Sequence, residues 1–127
     1  MTEQCWVLLG AYDENDDIWR LRLRRHVAGQ PASVEADWCW TLEREEHQGD
    51  VAGFAHTHPP GAGTAPSDRD VKTMMAWCGA FGKPLLCLIA EGEALRDPAA
   101  YLFQDDQQVP EFITRFELLD ERTAAHD

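Results

Sequence analysis

Hydrophobic and polar residues follow one another along this chain in short blocks, and most of the blocks predict strands. Residues 4–12 form an apolar run, QCWVLLGAY, that ends at the acidic segment DENDD. Residues 18–28 then alternate, with Trp19, Leu21 and Leu23 on one face and arginines on the other. A period of two is typical of a half-buried strand, and the acidic segment between the two blocks predicts a hairpin.

The middle of the chain combines irregular and buried segments. Gly-Gln-Pro at 29–31 ends the second strand, and residues 34–42 (VEADWCWTL) predict another extended or irregular piece. The charged residues 43–48 predict a short helix. Residues 50–56 (DVAGFAH) predict a buried strand that delivers two histidines at its end, and a loop rich in proline and glycine follows at 59–66.

The next block has the periodicity of a helix. Ser67 begins the predicted helix, and Gly79 and Gly82 end it. The apolar face follows the spacing i, i+3, i+4, i+7 and consists of Val71, Met74, Met75 and Cys78. This block therefore predicts an amphipathic helix that packs on a sheet.

The last third of the chain completes the fold prediction. The continuous apolar run PLLCLIA at 84–90 predicts a central strand, and shorter strands are predicted near 101–103 and 111–119. The predicted fold class is α/β, a mixed β-sheet flanked by few helices, with a helix content below the usual third of residues. Residues 97–127 carry no motif that indicates a function.

Length and composition limit the classes of protein. A chain of 127 residues predicts a single domain over 1–127, and 44% hydrophobic with 27% charged residues is ordinary for a globular protein. No apolar run approaches the roughly 20 residues of a membrane span, and the first residues lack the features of a signal peptide. We therefore expect a cytoplasmic protein with no membrane partner. The net charge of −12 argues against nucleic acid as a partner, because phosphate binding needs a basic surface.

The basic residues are unevenly distributed. Four of the nine arginines lie in the second predicted strand, at Arg20, Arg22, Arg24 and Arg25. Two interpretations remain open for them. They form either a solvated strand face or a strip that docks an acidic partner.

The cysteines show no metal-binding or redox spacing. Cys5, Cys39, Cys78 and Cys87 form no C-x-x-C pair, and each lies among apolar residues. We therefore expect all of them to be buried free thiols in a reducing compartment.

The segment from His56 to Asp70, HTHPPGAGTAPSDRD, carries the candidate chemistry. Two histidines separated by one residue on a strand project to the same side. With the carboxylate of Asp70, His56 and His58 form a ligand set that suits one catalytic zinc ion and leaves the fourth tetrahedral position for water. Ser67-x-x-Asp70 is also a helix capping box, which accounts for these two residues without a metal but not for the histidines.

Hydrolysis also needs a group that transfers protons. The upstream glutamates lie mostly in charged stretches: Glu14, Glu35, Glu43, Glu45 and Glu46. Glu3 differs because it immediately precedes an apolar strand, which makes it the distinctive candidate for a general base. The remaining histidines are expected at the surface without ligand roles: His26, His47 and His126.

His-Thr-His-Pro followed by Ser-x-x-Asp resembles the JAMM motif of the MPN+ (JAB) metalloproteases. These are zinc isopeptidases that remove ubiquitin and ubiquitin-like proteins, and they have prokaryotic relatives. The family carries a glutamate ahead of the motif, often in Glu-x-Cys-Gly-h-Leu-x-Gly with h apolar, and this chain has Glu3-Gln-Cys-Trp-Val-Leu-Leu-Gly10. The resemblance covers about residues 3–90. It implies a compact MPN/JAB-like domain of cytidine deaminase-like architecture.

The resemblance also implies a role for each candidate residue. The implied zinc ligands are His56, His58 and Asp70. Glu3 would be the general acid/base, and Ser67 would stabilise the oxyanion. The chain departs from the usual family pattern in having Trp6 for a glycine and eight rather than seven residues between the second histidine and the serine. The family's usual N-terminal helix is absent ahead of Glu3, and a partner or a second copy of the chain is expected to cover that edge.

The leading functional hypothesis is a zinc-dependent peptidase or isopeptidase of the deubiquitinase-like kind. It would hydrolyse the bond after the C-terminal glycine of a ubiquitin-like protein or of its conjugate. Two alternatives remain open: a non-catalytic MPN-type protein-binding module, and a zinc hydrolase of a small amide. A ubiquitin-like gene beside this one would favour the protein substrate, and its absence together with a narrow, closed pocket would favour the small amide.

Overall fold

The computed structural model describes residues 2–29, 36–105, 107 and 109–119. The strands are β1 (Gln4–Asp13), β2 (Ile18–Ala28), β3 (Val51–His58), β4 (Leu85–Glu91), β5 (Ala99–Phe103), β6 (Glu111–Ile113) and β7 (Phe116–Leu118). The helices are α1 (Trp38–Gln48) and α2 (Asp68–Phe81). All seven strands join one mixed sheet in the order β6-β5-β4-β3-β1-β2-β7. The pairs β3–β4 and β2–β7 are parallel and the others are antiparallel, so the predicted α/β class with a mixed sheet and few helices agrees with the structure.

The predicted hairpin at the start of the chain is present. β1 and β2 pair antiparallel up to Asp13 opposite Ile18, and the acidic segment forms the turn between them. The side chain of Asp13 accepts hydrogen bonds from the backbone N–H groups of Asn15 (3.0 Å) and Asp16 (3.4 Å), which is how aspartate favours tight turns. The acidic residues of this segment thus have a local structural role.

A bulge in β3 sets which of its side chains face the helices. The β1–β3 register shifts between Leu8 and Leu9, and Val51 and Phe54 consequently belong to the same core cluster although they are three residues apart. Gly53 at the bulge has φ +150°, and a Cβ atom there would lie 1.8 Å from the carbonyl oxygen of Leu86. Only glycine fits this close approach of two strands.

Both helices cover the same face of the sheet. The cluster beneath them contains Val7, Phe54 and Ile89 from the sheet, and Met74 and Cys78 from α2. The predicted apolar face of α2 is therefore confirmed. The helix ends at Phe81 rather than at Gly79, because Gly82 takes the left-handed C-cap conformation and its N–H donates to the carbonyl of Cys78 (2.8 Å).

The extended piece predicted at 34–42 is wrong for residues 38–42, which form the first half of α1. Residues 34 and 35 lie outside the described part of the chain. Asp37 caps the helix, its side chain accepting from the N–H of Trp40 (3.2 Å) and its carbonyl from the N–H of Thr41 (3.0 Å). Trp-Cys-Trp has the composition of a strand, but this cap and the burial of Thr41 favour a helix.

The opposite face of the sheet is concave. β6 and β7 occupy the two edges of the sheet, although only Thr114 and Arg115 separate them in the chain. The sheet therefore curls until its edges approach each other, and Ile113 and Phe116 from the two edges pack against one cluster with Leu8. The single strand predicted near 111–119 is thus two short strands, because the chain crosses from one edge to the other between them.

The other sequence expectations have mixed outcomes. Cys5, Cys78 and Cys87 are buried free thiols as predicted, but Cys39 is exposed because it lies on the outer side of a helix. Neither helix in the described ranges is long and apolar enough to cross a membrane.

Arg20 and Arg25, which belong to the arginine cluster, form ion pairs with other described residues. Arg20 contacts Asp16 (2.7 Å) and Glu117 (2.5 Å), and Arg25 contacts Asp37 (2.8 Å). These contacts fasten β7 and the start of α1 to β2. They favour the structural interpretation for these two arginines over the docking strip.

Candidate metal centre

Three side chains from two elements converge at one end of the sheet. His56 and His58 lie at the carboxyl end of β3, and Asp70 lies in the first turn of α2. The two Nε2 atoms are 3.2 Å apart. Asp70 Oδ1 lies 3.1 Å from Nε2 of His56, and Oδ2 lies 3.0 Å from Nε2 of His58. The donor atoms of all three residues lie within 4.8 Å of one another.

The hydrogen bonding of His58 shows that this cluster suits a cation. Its Nδ1 lies 3.0 Å from the carbonyl oxygen of Gly63, which can only accept, so Nδ1 carries a hydrogen and donates. In a neutral ring Nε2 then presents a lone pair, and it faces an oxygen of the Asp70 carboxylate, which also only accepts. The Nε2 lone pair and the carboxylate oxygen repel each other, and a metal ion or an additional proton between them removes this repulsion.

The spacing of the donors also agrees with a small divalent ion. A tetrahedral zinc ion with ligands at about 2.0–2.1 Å separates neighbouring ligand atoms by about 3.3 Å. The two Nε2 atoms are 3.2 Å apart, and each of them lies 3.0–3.1 Å from a different oxygen of the Asp70 carboxylate. Two imidazoles and one carboxylate, with an outer carbonyl orienting one ring, fit the group that the sequence predicted.

Asp70 belongs to the helix cap as well as to the cluster. Its N–H donates to Oγ of Ser67 (3.1 Å), and the N–H of Ser67 donates to its Oδ2 (2.9 Å), so the predicted capping box is present. Burial opposes ionisation, but hydrogen bonding and charge from His56 together with the hydrogen bonds from Ser67 prevail, and the pKa of Asp70 lies well below its usual range. The capping and metal interpretations are therefore compatible.

Glu3 lies beside the cluster. Cys5 is opposite His56 in the β1–β3 register. Glu3 comes two residues before Cys5 in an extended segment, so it lies on the same face of the sheet, displaced from Cys5 in the direction of His58. Its side chain is buried, with 6% of the residue exposed, and its carbonyl accepts from the N–H of Gly29 (3.0 Å). The strand pairing therefore fixes this residue despite its position near the start of the chain.

Glu3 and the three clustered residues line one cavity of about 710 Å³. The floor is formed by the sheet, and the walls by α2, by Trp38 of α1 and by the loop at 59–66. Ser67 lines the same cavity at the start of α2. Two further aromatic side chains, Phe54 and Trp77, contribute to the lining with ring centroids 4.9 Å apart. All five predicted site residues thus face one space.

The thiols in this cavity are not ionised at neutral pH. Burial raises the pKa of Cys5 to about 12. Burial likewise raises the pKa of Cys87 well above its usual value. The negative charge nearest to the cluster therefore comes from carboxylates and not from thiolates.

Sequence reasoning missed several residues around the cluster. Gly63, whose carbonyl orients His58, and Glu91, whose carboxylate accepts from the N–H of Gly61 (2.6 Å), carried no recognisable signal. Trp38 falls in the piece predicted to be extended or irregular, and the sequence therefore does not indicate that it belongs to the cavity wall. The histidines predicted outside the site fit that prediction where they are described: His26 contacts Gln4 and His47 contacts the carbonyl of Glu43, and both are exposed. His126 lies outside the described residues.

The fold and the site together define a class of protein. It is an α/β domain with a His-His-Asp cluster at the end of a strand and the start of a helix. The chain matches the family described as prokaryotic homologs of the JAB domain over residues 1–109. It therefore belongs to this family, as the resemblance in its motif predicted.

The fold is shared with solved structures. One of them is the solution structure of a protein from Salinibacter ruber, with a TM-score of 0.53, 20% sequence identity, and coverage of 93% of this chain and 79% of that chain. At this identity the likeness concerns the fold alone. No curated protein matches the chain. The cytidine deaminase-like architecture and the domain bounds 1–127 stay predictions.

Proposed function

We propose that this chain is a zinc-dependent peptidase or isopeptidase that hydrolyses the bond after the C-terminal glycine of a ubiquitin-like protein. The observation that carries the proposal is the convergence of His56, His58 and Asp70 on a cavity that Glu3 and Ser67 also line, in a member of the JAB family. A merely structural domain has no need for two histidines and an aspartate with opposed lone pairs at a cavity wall.

His56, His58 and Asp70 would hold the ion. When bound, zinc would supply Lewis acidity, which lowers the pKa of a water molecule and polarises a carbonyl group. The carbonyl of Gly63 keeps the Nε2 lone pair of His58 directed at the ligand position. The capping box likewise holds the carboxylate of Asp70 at the start of α2.

Glu3 is the proposed proton carrier. As a carboxylate it would accept a proton from the attacking water, and it would then deliver that proton to the leaving amine. Its position on the same strand face as Cys5 supports the role, because that face is directed at the metal ligands. Its burial limits competing solvent around the transferred proton.

Ser67 is the proposed oxyanion donor. Its Oγ already accepts from the N–H of Asp70, and a hydroxyl group has one further hydrogen to donate. That hydrogen would stabilise the negative charge on the carbonyl oxygen of the tetrahedral intermediate. Loss of such a donor lowers kcat by about 100- to 1,000-fold.

The test uses ubiquitin-like proteins whose C-terminal glycine carries either a peptide extension or a lysine joined through its side-chain amine. We expect release of the mature glycine terminus by the zinc-loaded protein, and abolition of turnover in Glu3→Gln with zinc still bound. Glu14→Gln, an exposed glutamate in the hairpin turn, is the matched control. Near wild-type turnover by Glu3→Gln would show that the assigned base is wrong.

A second candidate is a zinc hydrolase of a small amide. The cavity volume of about 710 Å³ favours it, because pockets for small molecules span about 300–1,000 Å³. Parallel assays with N-acylated amino acids separate the two: cleavage of these alone would identify the small-amide enzyme. Zinc binding with no cleavage of either class would favour the non-catalytic binding module.

A further inference from the structure

An acidic side chain outside the metal ligands is connected to one of them through the neighbouring loop. Glu91 is the last residue of β4 and lies opposite His58, the last residue of β3, in the parallel pairing. Its Oε2 accepts a hydrogen bond of 2.6 Å from the N–H of Gly61. Because the acceptor is charged, this bond is stronger than one between neutral groups.

The loop at 59–66 transmits this contact to the ring of His58. The N–H of Ala62 donates to the carbonyl of Pro59 (3.0 Å) and closes a turn that contains Gly61. The next residue, Gly63, has φ +80°, a conformation that glycine adopts without strain, and its carbonyl accepts from Nδ1 of His58 (3.0 Å).

The first half of the loop is therefore anchored at two points. It leaves β3 at His58, and the carboxylate of Glu91 holds it two residues after Pro59. Without the second anchor, the Gly63 carbonyl would be positioned by the Ala62–Pro59 turn and by a chain segment in which two of eight residues are glycine. The ring of His58 would then lose the contact that fixes its tautomer and its orientation.

We propose that Glu91 is a positioning residue for the metal centre: it holds the loop at 59–66 so that the Gly63 carbonyl keeps Nε2 of His58 directed at the ion. This inference rests on the metal centre of the proposed function and does not depend on which bond is cleaved.

The test measures the affinity of each variant for Zn²⁺ alone, by competition with a chelator. We expect Glu91→Ala to bind zinc about ten-fold more weakly, the lower end of the effect of outer-sphere changes on metal affinity. Glu91→Gln keeps an oxygen acceptor for the N–H of Gly61 and should restore most of the affinity. Glu93→Ala removes the same charge from an exposed position in the following turn and should change the affinity little.

The thermal midpoint of the metal-free proteins separates positioning from general destabilisation. Glu91 is exposed, so its truncation leaves no cavity in the core, and the midpoints of Glu91→Ala and Glu93→Ala should agree. Nitrogen NMR of the His58 ring in the metal-free protein measures the populations of its two tautomers independently of zinc binding. The Nδ1–H form should predominate in the wild type and should lose population in Glu91→Ala.

Each contrary result has a definite meaning. Equal zinc affinities in the wild type and Glu91→Ala would overturn the role of Glu91 alone. An equal loss in Glu91→Gln and Glu91→Ala would show that the charge acts on the ion through space, which also overturns the positioning role. A wild-type protein with no zinc affinity would overturn the metal centre itself and with it this inference.

Discussion

Cys5 and His56 are direct partners in the antiparallel pairing of β1 and β3. Opposed residues on one face of such a pair have Cβ atoms about 4.5–5.5 Å apart. The buried thiol therefore lies beside a metal ligand, and Glu3 is placed by the same register two positions away. The register of β1 on β3 thus determines where the proposed proton carrier lies relative to the histidines.

Removal of the carboxylate ligand should abolish tight metal binding. We expect about one zinc ion per wild-type chain after mild chelation and little in Asp70→Ala, because two imidazoles alone leave the ion weakly held. Elemental analysis of the purified proteins measures this. Asp68→Ala removes an exposed carboxylate from the same helical turn and serves as the control. Equal zinc contents in all three proteins would show that Asp70 only caps the helix.

Substitution of Ser67 can separate its capping role from its proposed catalytic role. Ser67→Ala should lower the free energy of unfolding by about 1 kcal/mol, whereas Ser67→Gly should lower it by only a few tenths, because glycine is tolerated at the N-cap. Both variants lack the hydroxyl, so their kcat values should fall by a similar factor. Chemical denaturation and steady-state kinetics provide the two readings. If kcat instead followed stability, the oxyanion role would be wrong.

The cysteines should differ sharply in reactivity. Cys39 is exposed, whereas burial raises the pKa of Cys5 to about 12 and keeps its thiol neutral and shielded. Alkylation of the native protein at mildly alkaline pH should therefore modify one cysteine, and Cys39→Ser should remove that modification. Mass spectrometry of the intact protein counts the labels. Rapid labelling of Cys5 in the native state would contradict the burial of its thiol at the cavity wall.

The close approach at Gly53 should make this position intolerant of any side chain. Gly53→Ala places Cβ 1.8 Å from the carbonyl oxygen of Leu86, so we expect a loss of about 3 kcal/mol or more. Gly49→Ala is the matched control, because that residue also has positive φ (+67°) but an added Cβ meets no atom within 4 Å. Its cost should be about 1–2 kcal/mol. Comparable unfolding curves for both variants would show that β3 and β4 can separate without penalty.

The part of the fold that local sequence determines was predictable. The alternation of Leu21 and Leu23 with arginines, and the helical spacing of Met74 and Cys78, reflect burial on one face and therefore appear directly in the sequence. The second half of α1 was predicted as a short helix at 43–48, but its first half was not, because α1 buries little beyond Thr41 and its sequence shows no clear apolar face. The split of the last strand depends on where the sheet edges meet, which no local pattern contains.

The site was predictable to the extent that its groups are close in sequence. His56, His58 and Asp70 lie within one segment and share a recognisable spacing. The contributions of Gly63 and Glu91 depend on the path of a loop across the end of a neighbouring strand. Such contacts follow from tertiary structure alone, and a single sequence gives no indication of them.

The curled sheet has a consequence for association between chains. Its edge strands β6 and β7 have three residues each, and β7 is fastened to β2 by the ion pair between Arg20 and Glu117. Short edges offer little backbone to an incoming strand, which protects a β-rich protein from edge-to-edge aggregation. A stable dimer of this chain would therefore have to form through side chains, and the exposed Trp38 and Leu42 of α1 provide apolar area for it beside the cavity.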